Sequence, residues 1–338
     1  MLCLLSVLVS APALSAQAVG YAQDNPPPTP LPDPVSSPLP PASQLPSTLW
    51  RPALYPVPWA LSQNDHFFFI RPIAANKVNW PLPAYRYGST NFGPNQAHTG
   101  VDIVADKGTP VIATGPGLII WQGYGLFSGG EDLDDKYGLA IVIEHDFGYM
   151  NQTLYTVYAH LSRANVIRGQ RVATGEVIGA TGDTGNATGE HLHYEVRLGK
   201  NDYFHSLNPE LWLSPPQGSG VLAARLTNSW DAALENLEIR VTNRDTKQRW
   251  YVTGYGTNKV VNGDPAYHEN FVLSDLPAGP YEIFIPYAGR SYFQNLRIYP
   301  GAITFFKFVG MQGITMPDSF LKIPTNIPDY EKYEPDRK

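Results

Sequence analysis

The apolar positions of this chain recur at intervals of two rather than three or four. Runs such as HFFFIRPI (66–73), GTPVIATGPGLIIWQG (108–123), LAIVIEHDFG (139–148), TLYTVYAHL (153–161) and HLHYEVRLG (191–199) are short and rich in β-branched and aromatic residues. No stretch between Arg51 and Ser214 sustains a 3.6-residue period, so the pattern predicts an almost wholly β region over 51–214. The turn-forming stretch PPQGSG at 215–220 marks a boundary. Beyond it GVLAARLTN, LEIRVTN, QRWYVTGYG, ENFVLSDLPAGPYEIFIPYAG and ITFFKFVG predict about seven short strands over 218–311, which reads as a small β-sandwich. The expected fold class is mostly β: an antiparallel β-sheet domain followed by that sandwich.

The ends of the chain read differently. Residues 2–18, LCLLSVLVSAPALSAQA, are too short and too rich in small residues to span a bilayer, and they close on the A-x-A pattern Ala16-Gln17-Ala18. They predict a signal peptide, 1–18, and a mature chain with no membrane span and no cysteine, since Cys3 is the only one. The first basic residue is Arg51, so the usual basic start is missing, and an uncleaved anchor is the alternative. Ten prolines within 26–50 make 19–50 a linker of polyproline-II character; at about 3.1 Å per residue its proline-rich part reaches roughly 75 Å. Residues 312–338 return to Pro, Asp, Glu and Lys and read as a loosely attached tail.

Charge removes one class of function. The 24 basic and 30 acidic residues leave a net charge of −6, without the basic stripes of a nucleic-acid surface.

Five side chains carry the candidate chemistry: His98 and Asp102 in HTGVD, His160 in YAHL, and His191 and His193 in HLH. On a strand, His191, His193, Glu195 and Arg197 share one face of HLHYEVRL, and Leu192, Tyr194, Val196 and Leu198 the other. In HTGVDIVA, Gly100 and the β-branched neighbours favour an extended or looped path, on which His98 and Asp102 again point the same way. Imidazole and carboxylate suit zinc, and a five-member set can hold one ion and leave two imidazoles over, the equipment of a hydrolase.

These residues, with the glycine-bearing turns between them, resemble the lysostaphin-type (LytM-like) zinc endopeptidases of bacterial cell walls. The likeness runs over 87–199, through HTGVDIVADKGTPVIATGPGLIIWQG, YGLAIVIEHDFG, TVYAHLS and GQRVATGEVIGATGDTGNATGEHLHYEVR. It implies an antiparallel β-sheet metallopeptidase domain of the duplicated hybrid motif type. It further implies one zinc ion (Zn2+) on His98, Asp102 and His193, with His160 and His191 as the catalytic histidines. The substrate implied is a peptide, in peptidoglycan stems or cross-bridges, and the place is outside a bacterial cell or in its envelope. No oligomeric state is implied. Because some relatives have lost ligands, the alternative is a non-enzymatic envelope protein that binds or regulates other wall hydrolases.

Smaller expectations complete the reading. His66, His145, His205 and His268 are expected outside any metal site. The acidic stretch in Leu126–Lys136, LFSGGEDLDDK, is either a rim for cationic substrate groups or, as favoured, a solvated loop tip. Residues 221–310 resemble a carboxypeptidase-regulatory-like or transthyretin-like sandwich, chiefly through the LPAGPY turn. Trp250, Tyr251, Tyr255 and Tyr292 are candidates for stacking on glycan rings or, equally, for packing inside.

Overall fold

The computed structural model describes residues 64–73, 85–89, 97–256 and 260–317. The expected signal peptide, the proline-rich linker and the tail beyond residue 317 lie outside the described residues. Among the described residues regular structure is strand with a few single-turn 3-10 segments, and none of the described helices is long and apolar enough to cross a membrane.

The first domain contains β1 (Val101–Val104), β2 (Pro110–Ile112), β3 (Gly117–Gly123), β4 (Ala140–Tyr149), β5 (Gln152–Ala159), β6 (Arg163–Ala164), β7 (Arg171–Val172), β8 (Val177–Ala180), β9 (His191–Leu198) and β10 (Ser206–Leu207). Seven of them form one antiparallel sheet in the order β1-β9-β5-β4-β3-β7, with β10 beside β1 along the same edge of β9. The others form a small sheet, β2-β8-β6.

Strand β9 is central, and all eight of its residues are buried. Leu192, Tyr194, Val196 and Leu198 enter an apolar core with Val101, Ile103, Ile141, Ile143, Leu154 and Tyr158. The Tyr158 and Tyr194 hydroxyls are satisfied at Thr114 Oγ1, 2.9 and 3.0 Å away, which lets both rings lie fully inside. The opposite face of β9 carries the site. Gly100 allows its neighbour strand to come close: a Cβ there would sit 2.3 Å from the Tyr194 carbonyl oxygen and 2.9 Å from His193 Cε1.

The second module has eight strands: β11 (Ser219–Thr227), β12 (Glu238–Asn243), β13 (Arg249–Thr253), β14 (Phe271–Pro277), β15 (Gly279–Tyr287), β16 (Arg290–Ile298), β17 (Ile303–Val309) and β18 (Gly313–Thr315). They make two four-stranded sheets, β14-β11-β17-β18 and β13-β12-β15-β16, with β11 and β17 parallel. Leu222, Leu226, Leu273 and Phe306 of the first sheet meet Ile239, Val241, Tyr281 and Ile283 of the second in one core.

The boundary at 215–220 is not a flexible joint. Alternate residues of β11 and β17, among them Val221, Ala223 and Phe305, belong to the same apolar cluster as Phe67, Phe68, Phe69 and Trp212. The β14-β11-β17 sheet is therefore buried on both faces, which is why VLAA in β11 reads as a continuous apolar run rather than an alternation. Polar side-chain pairs cross the same boundary: Arg71 with Asp275, and His66 Nε2 with Asp264 Oδ2 at 2.9 Å. Glu210 takes Arg86 Nη1 at 2.5 Å and the Ser274 amide at 3.0 Å. The aromatic candidates divide on this packing. Tyr255 is buried against Tyr87, Trp250 and Tyr292 pack on the sandwich core, and Tyr251 remains exposed.

A shared core makes the two modules one cooperative unit. Phe305→Ala is expected to cost about 3–5 kcal/mol and to shift one common transition in urea. Tryptophan fluorescence and circular dichroism followed on the same samples check this; two separated transitions would contradict it.

Candidate metal centre

The register of the central sheet assembles the five candidate residues. Asp102 in β1 lies directly opposite His193 in β9, and Ala159 at the end of β5 lies opposite His193 from the other side. Neighbouring strands thus bring an acid, a ligand histidine and, one residue later, His160 to one place. His98 precedes β1 and is fixed by pairing with the segment before it: its amide donates to Ser89 O, and its carbonyl accepts from the Gly88 amide.

Three donor atoms converge. His98 Nε2 is 2.9 Å from Asp102 Oδ1 and 3.0 Å from His193 Nδ1, and His193 Nδ1 is 2.9 Å from the same Asp102 oxygen. All three side chains are buried. Their far sides fix what the near sides offer. His98 Nδ1 lies 3.0 Å from Arg86 O, and a carbonyl only accepts, so Nδ1 carries the hydrogen and Nε2 a lone pair. His193 Nε2 lies 3.0 Å from Glu195 Oε1, so His193 offers a lone pair at Nδ1. Two lone pairs and a carboxylate oxygen meet at one point, an arrangement that a cation stabilises. The donor set fits a divalent metal ion held by three protein ligands.

Electrostatics agrees. Burial alone would raise the Asp102 carboxyl, but His98 and His193 hold it well below the usual carboxylate range. Burial disfavours a charged His193, yet Asp102 and Glu195 outweigh this and push the imidazole up to about 9. A proton and a divalent cation compete for the same place beside Asp102.

The other two histidines stand next to this triangle. Their rings are 4.7 Å apart, and the His160 ring is 5.7 Å from that of His193. His191 Nδ1 donates to Gly189 O at 2.8 Å and His160 Nδ1 to Thr184 O at 2.8 Å, which leaves both Nε2 atoms as acceptors. His191 Nε2 is 3.6 Å from the second oxygen of Asp102. Burial lowers the pKa of both, that of His160 to about 3 with the help of the neighbouring imidazoles of His193 and His191. His160 adopts φ +58°, the left-handed region uncommon outside glycine, at a cost of about 1–3 kcal/mol. Its amide is held there by Tyr137 O at 2.9 Å.

A buried polar network backs the ligands. Glu195 Oε1 accepts from His193, from Thr99 Oγ1 at 2.5 Å and from Tyr137 OH at 2.8 Å. Arg197 Nε donates to Glu195 Oε2 at 2.7 Å and Nη2 to Tyr137 OH at 2.8 Å. Burial would raise the Glu195 carboxyl, but Arg197 and the donors keep it ionised and low. Glu195 and Arg197 share the His193 face, so the alternation of HLHYEVRL already placed them; only their role was unread.

The remaining histidines lie elsewhere. His145 lies between Pro116 O and Thr156 Oγ1, and burial pushes it down to about 3 against the opposing effect of the Pro116 carbonyl. His66 pairs with Asp264, His205 with Asp202, and His268 is exposed. The acidic stretch does not rim the site. Asp135 is buried, accepting the Phe127 and Ser128 amides at 2.8 and 2.9 Å and that of Tyr137 at 2.9 Å. Glu131 and Asp134 are exposed and do not line the cleft. The cleft over the five residues, about 170 Å³, is instead bordered by Phe127, Lys136, Tyr137, Asn186, Thr188 and Tyr203.

Residues 96–206 match the model of peptidase family M23. Over 136 residues the chain is 45% identical to the DD-carboxypeptidase/endopeptidase Mpg of Neisseria meningitidis serogroup B, covering 40% of this chain and 28% of that protein. It is 38% identical over 120 residues to the peptidoglycan DD-endopeptidase ShyC of Vibrio cholerae serotype O1, covering 33% and 24%. Among solved structures, the catalytic domain of the antimicrobial peptidase lysostaphin from Staphylococcus simulans is 30% identical, covering 37% of this chain and 86% of that one with a TM-score of 0.32. The match to peptidase family M23 thus covers about a third of this chain, the part that holds the five residues. It spans about a quarter to a third of the length of the curated relatives it matches.

Two outcomes follow for metal binding. Asp102→Ala and His193→Ala are expected to lose the metal, whereas His191→Ala keeps it and Glu195→Gln weakens it by about 10–100-fold. Mass spectrometry of metal content after dialysis against graded chelator reads all four, and metal loss in His191→Ala would overturn the ligand assignment. Because His193 holds a proton up to about pH 9, metal binding at neutral pH should release about one proton. Affinity then rises with pH and levels off near 9; calorimetry in buffers of different ionisation enthalpy measures the release.

Proposed function

We propose that this chain is an exported zinc metalloendopeptidase that hydrolyses peptide bonds in peptidoglycan stem peptides or cross-bridges. The observation that carries the proposal is the meeting of three metal-competent lone-pair donors with two further imidazoles whose Nε2 atoms are free acceptors on one cleft. The names of the Neisseria and Vibrio relatives support the substrate class. Export rests on the leader at 1–18.

A zinc ion on His98, Asp102 and His193 would supply Lewis acidity, polarising the scissile carbonyl and lowering the pKa of water to about 7. His191 acts as the base. Its Nε2 takes a proton from the attacking water, and Asp102 Oδ2 at 3.6 Å steadies the imidazolium formed. The same proton then passes from His191 to the nitrogen of the leaving amine. His160 Nε2 orients the tetrahedral intermediate by accepting its hydroxyl hydrogen; the Thr184 carbonyl holds that ring in place and the Tyr137 carbonyl holds its backbone amide. Glu195 keeps the His193 ring in the orientation that the metal needs.

The second module we read as an accessory sandwich of carboxypeptidase-regulatory-like kind, fixed to the catalytic domain rather than tethered.

Incubating the full chain, loaded with zinc, with purified peptidoglycan should release new amino groups, and a chelator should stop it. His191→Ala, with its zinc retained, should lower kcat about 100–10,000-fold. A zinc-loaded protein that binds peptidoglycan and frees no amine would instead support the non-enzymatic reading.

A further inference from the structure

The wall of the cleft carries one cation that the chemistry above does not use. Lys136 lines it together with the metal-competent triad and both catalytic histidines. Three exposed or half-exposed acids, Glu131, Asp132 and Asp134, stand within five residues of it, yet no carboxylate pairs with Lys136 among the ion pairs of the described residues. Asp135, its immediate neighbour, is turned inward onto three backbone amides. The ammonium rests instead on aromatic faces, 4.1 Å from the Phe127 ring centre and 6.0 Å from that of Tyr203. Those two rings meet edge to face at 5.5 Å.

The position of Lys136 is tied to the reacting centre. Its carbonyl accepts the Asn186 amide at 2.9 Å. The next residue, Tyr137, donates to Glu195 and accepts the His160 amide. Gly138 permits the tight contact behind it, since a Cβ there, at φ +58°, would meet Thr184 C at 2.4 Å. Aromatic faces attract an ammonium but take none of its hydrogen bonds, so its three N–H groups stay available for an anion. A peptide backbone passing through the cleft offers only neutral groups to such a cation.

We infer that Lys136, braced by Phe127 and Tyr203, anchors a free carboxylate of the peptide substrate, one borne close to the scissile bond at a chain terminus or on a side chain. The inference rests on the peptidase reading and narrows it to acid-bearing peptides. It is opposite in sign to the acidic rim that the sequence offered as the less favoured reading of this stretch: the loop presents its single lysine to the substrate and keeps its acids elsewhere.

The test uses matched peptides, each made as free acid and as carboxamide, with the group at the C-terminus in one series and on a side chain in the other. The zinc-loaded full chain should prefer acid over amide by about tenfold in kcat/KM, mainly through KM, as a partly exposed charged contact allows. The series that shows the preference identifies the source of the carboxylate. The ratio should fall towards one in Lys136→Gln, invert in Lys136→Glu, return in part in Lys136→Arg, and shrink with added salt. Equal cleavage of acid and amide by the wild type, or an unchanged ratio in Lys136→Gln, overturns the inference. Calorimetric binding of the same peptides to His191→Ala, with and without Lys136→Gln, should show the same acid-over-amide difference without turnover. Failure of hydrolysis and failure of the anchor are thereby read separately.

Discussion

Two imidazole lone pairs and one carboxylate oxygen, each about 3 Å from the next, form the constraint around which the rest is arranged. A proton on His193, its pKa raised by Asp102 against the cost of burial, bridges them where no cation does, but it does not fix their orientation. They stay oriented because each is pinned from behind: His98 by Arg86 O, His193 by Glu195, and Asp102 by its place in a paired strand. The protein therefore does its ordering during folding, and a metal ion meets donors already turned the right way.

The pins are themselves connected. Tyr137 donates to Glu195, takes a hydrogen bond from Arg197 and offers its carbonyl to the His160 amide. One aromatic residue thus joins the carboxylate behind His193 to the backbone of His160, which adopts an unfavourable φ. Buried polar networks of this kind are costly when incomplete, so their completeness here ties site geometry to the stability of the sheet. Lys136 is adjacent in sequence, which sets the proposed substrate anchor on the same rigid turn.

Much of this was legible beforehand because strand periodicity is strict. HLHYEVRL assigns two faces without ambiguity, and the strand register brings His98, Asp102, His160, His191 and His193 to one cleft. What escaped were features that depend on partners distant in the chain. Nothing local in YAHL announces a left-handed His160, which is held by Tyr137 O and Thr184 O. The acids of GGEDLDDK drew attention as charges, but Asp135 closes a turn and the lysine at the end of the run faces the cleft. The glycine- and proline-rich stretch at 215–220 marked a boundary but not how closely the two sides pack. That closeness is written in the unbroken apolar stretch of β11, a sign of burial on both faces.

That double burial has a practical consequence for anyone wishing to isolate the domain that holds the candidate metal centre. Cutting the chain after Leu213 would leave Phe67, Phe68, Phe69 and Trp212 facing water where Val221, Ala223 and Phe305 now cover them. Such a fragment would present a wet greasy plateau and self-associate. A minimal version would have to be resurfaced there, with polar residues replacing that aromatic floor, before it could be handled alone.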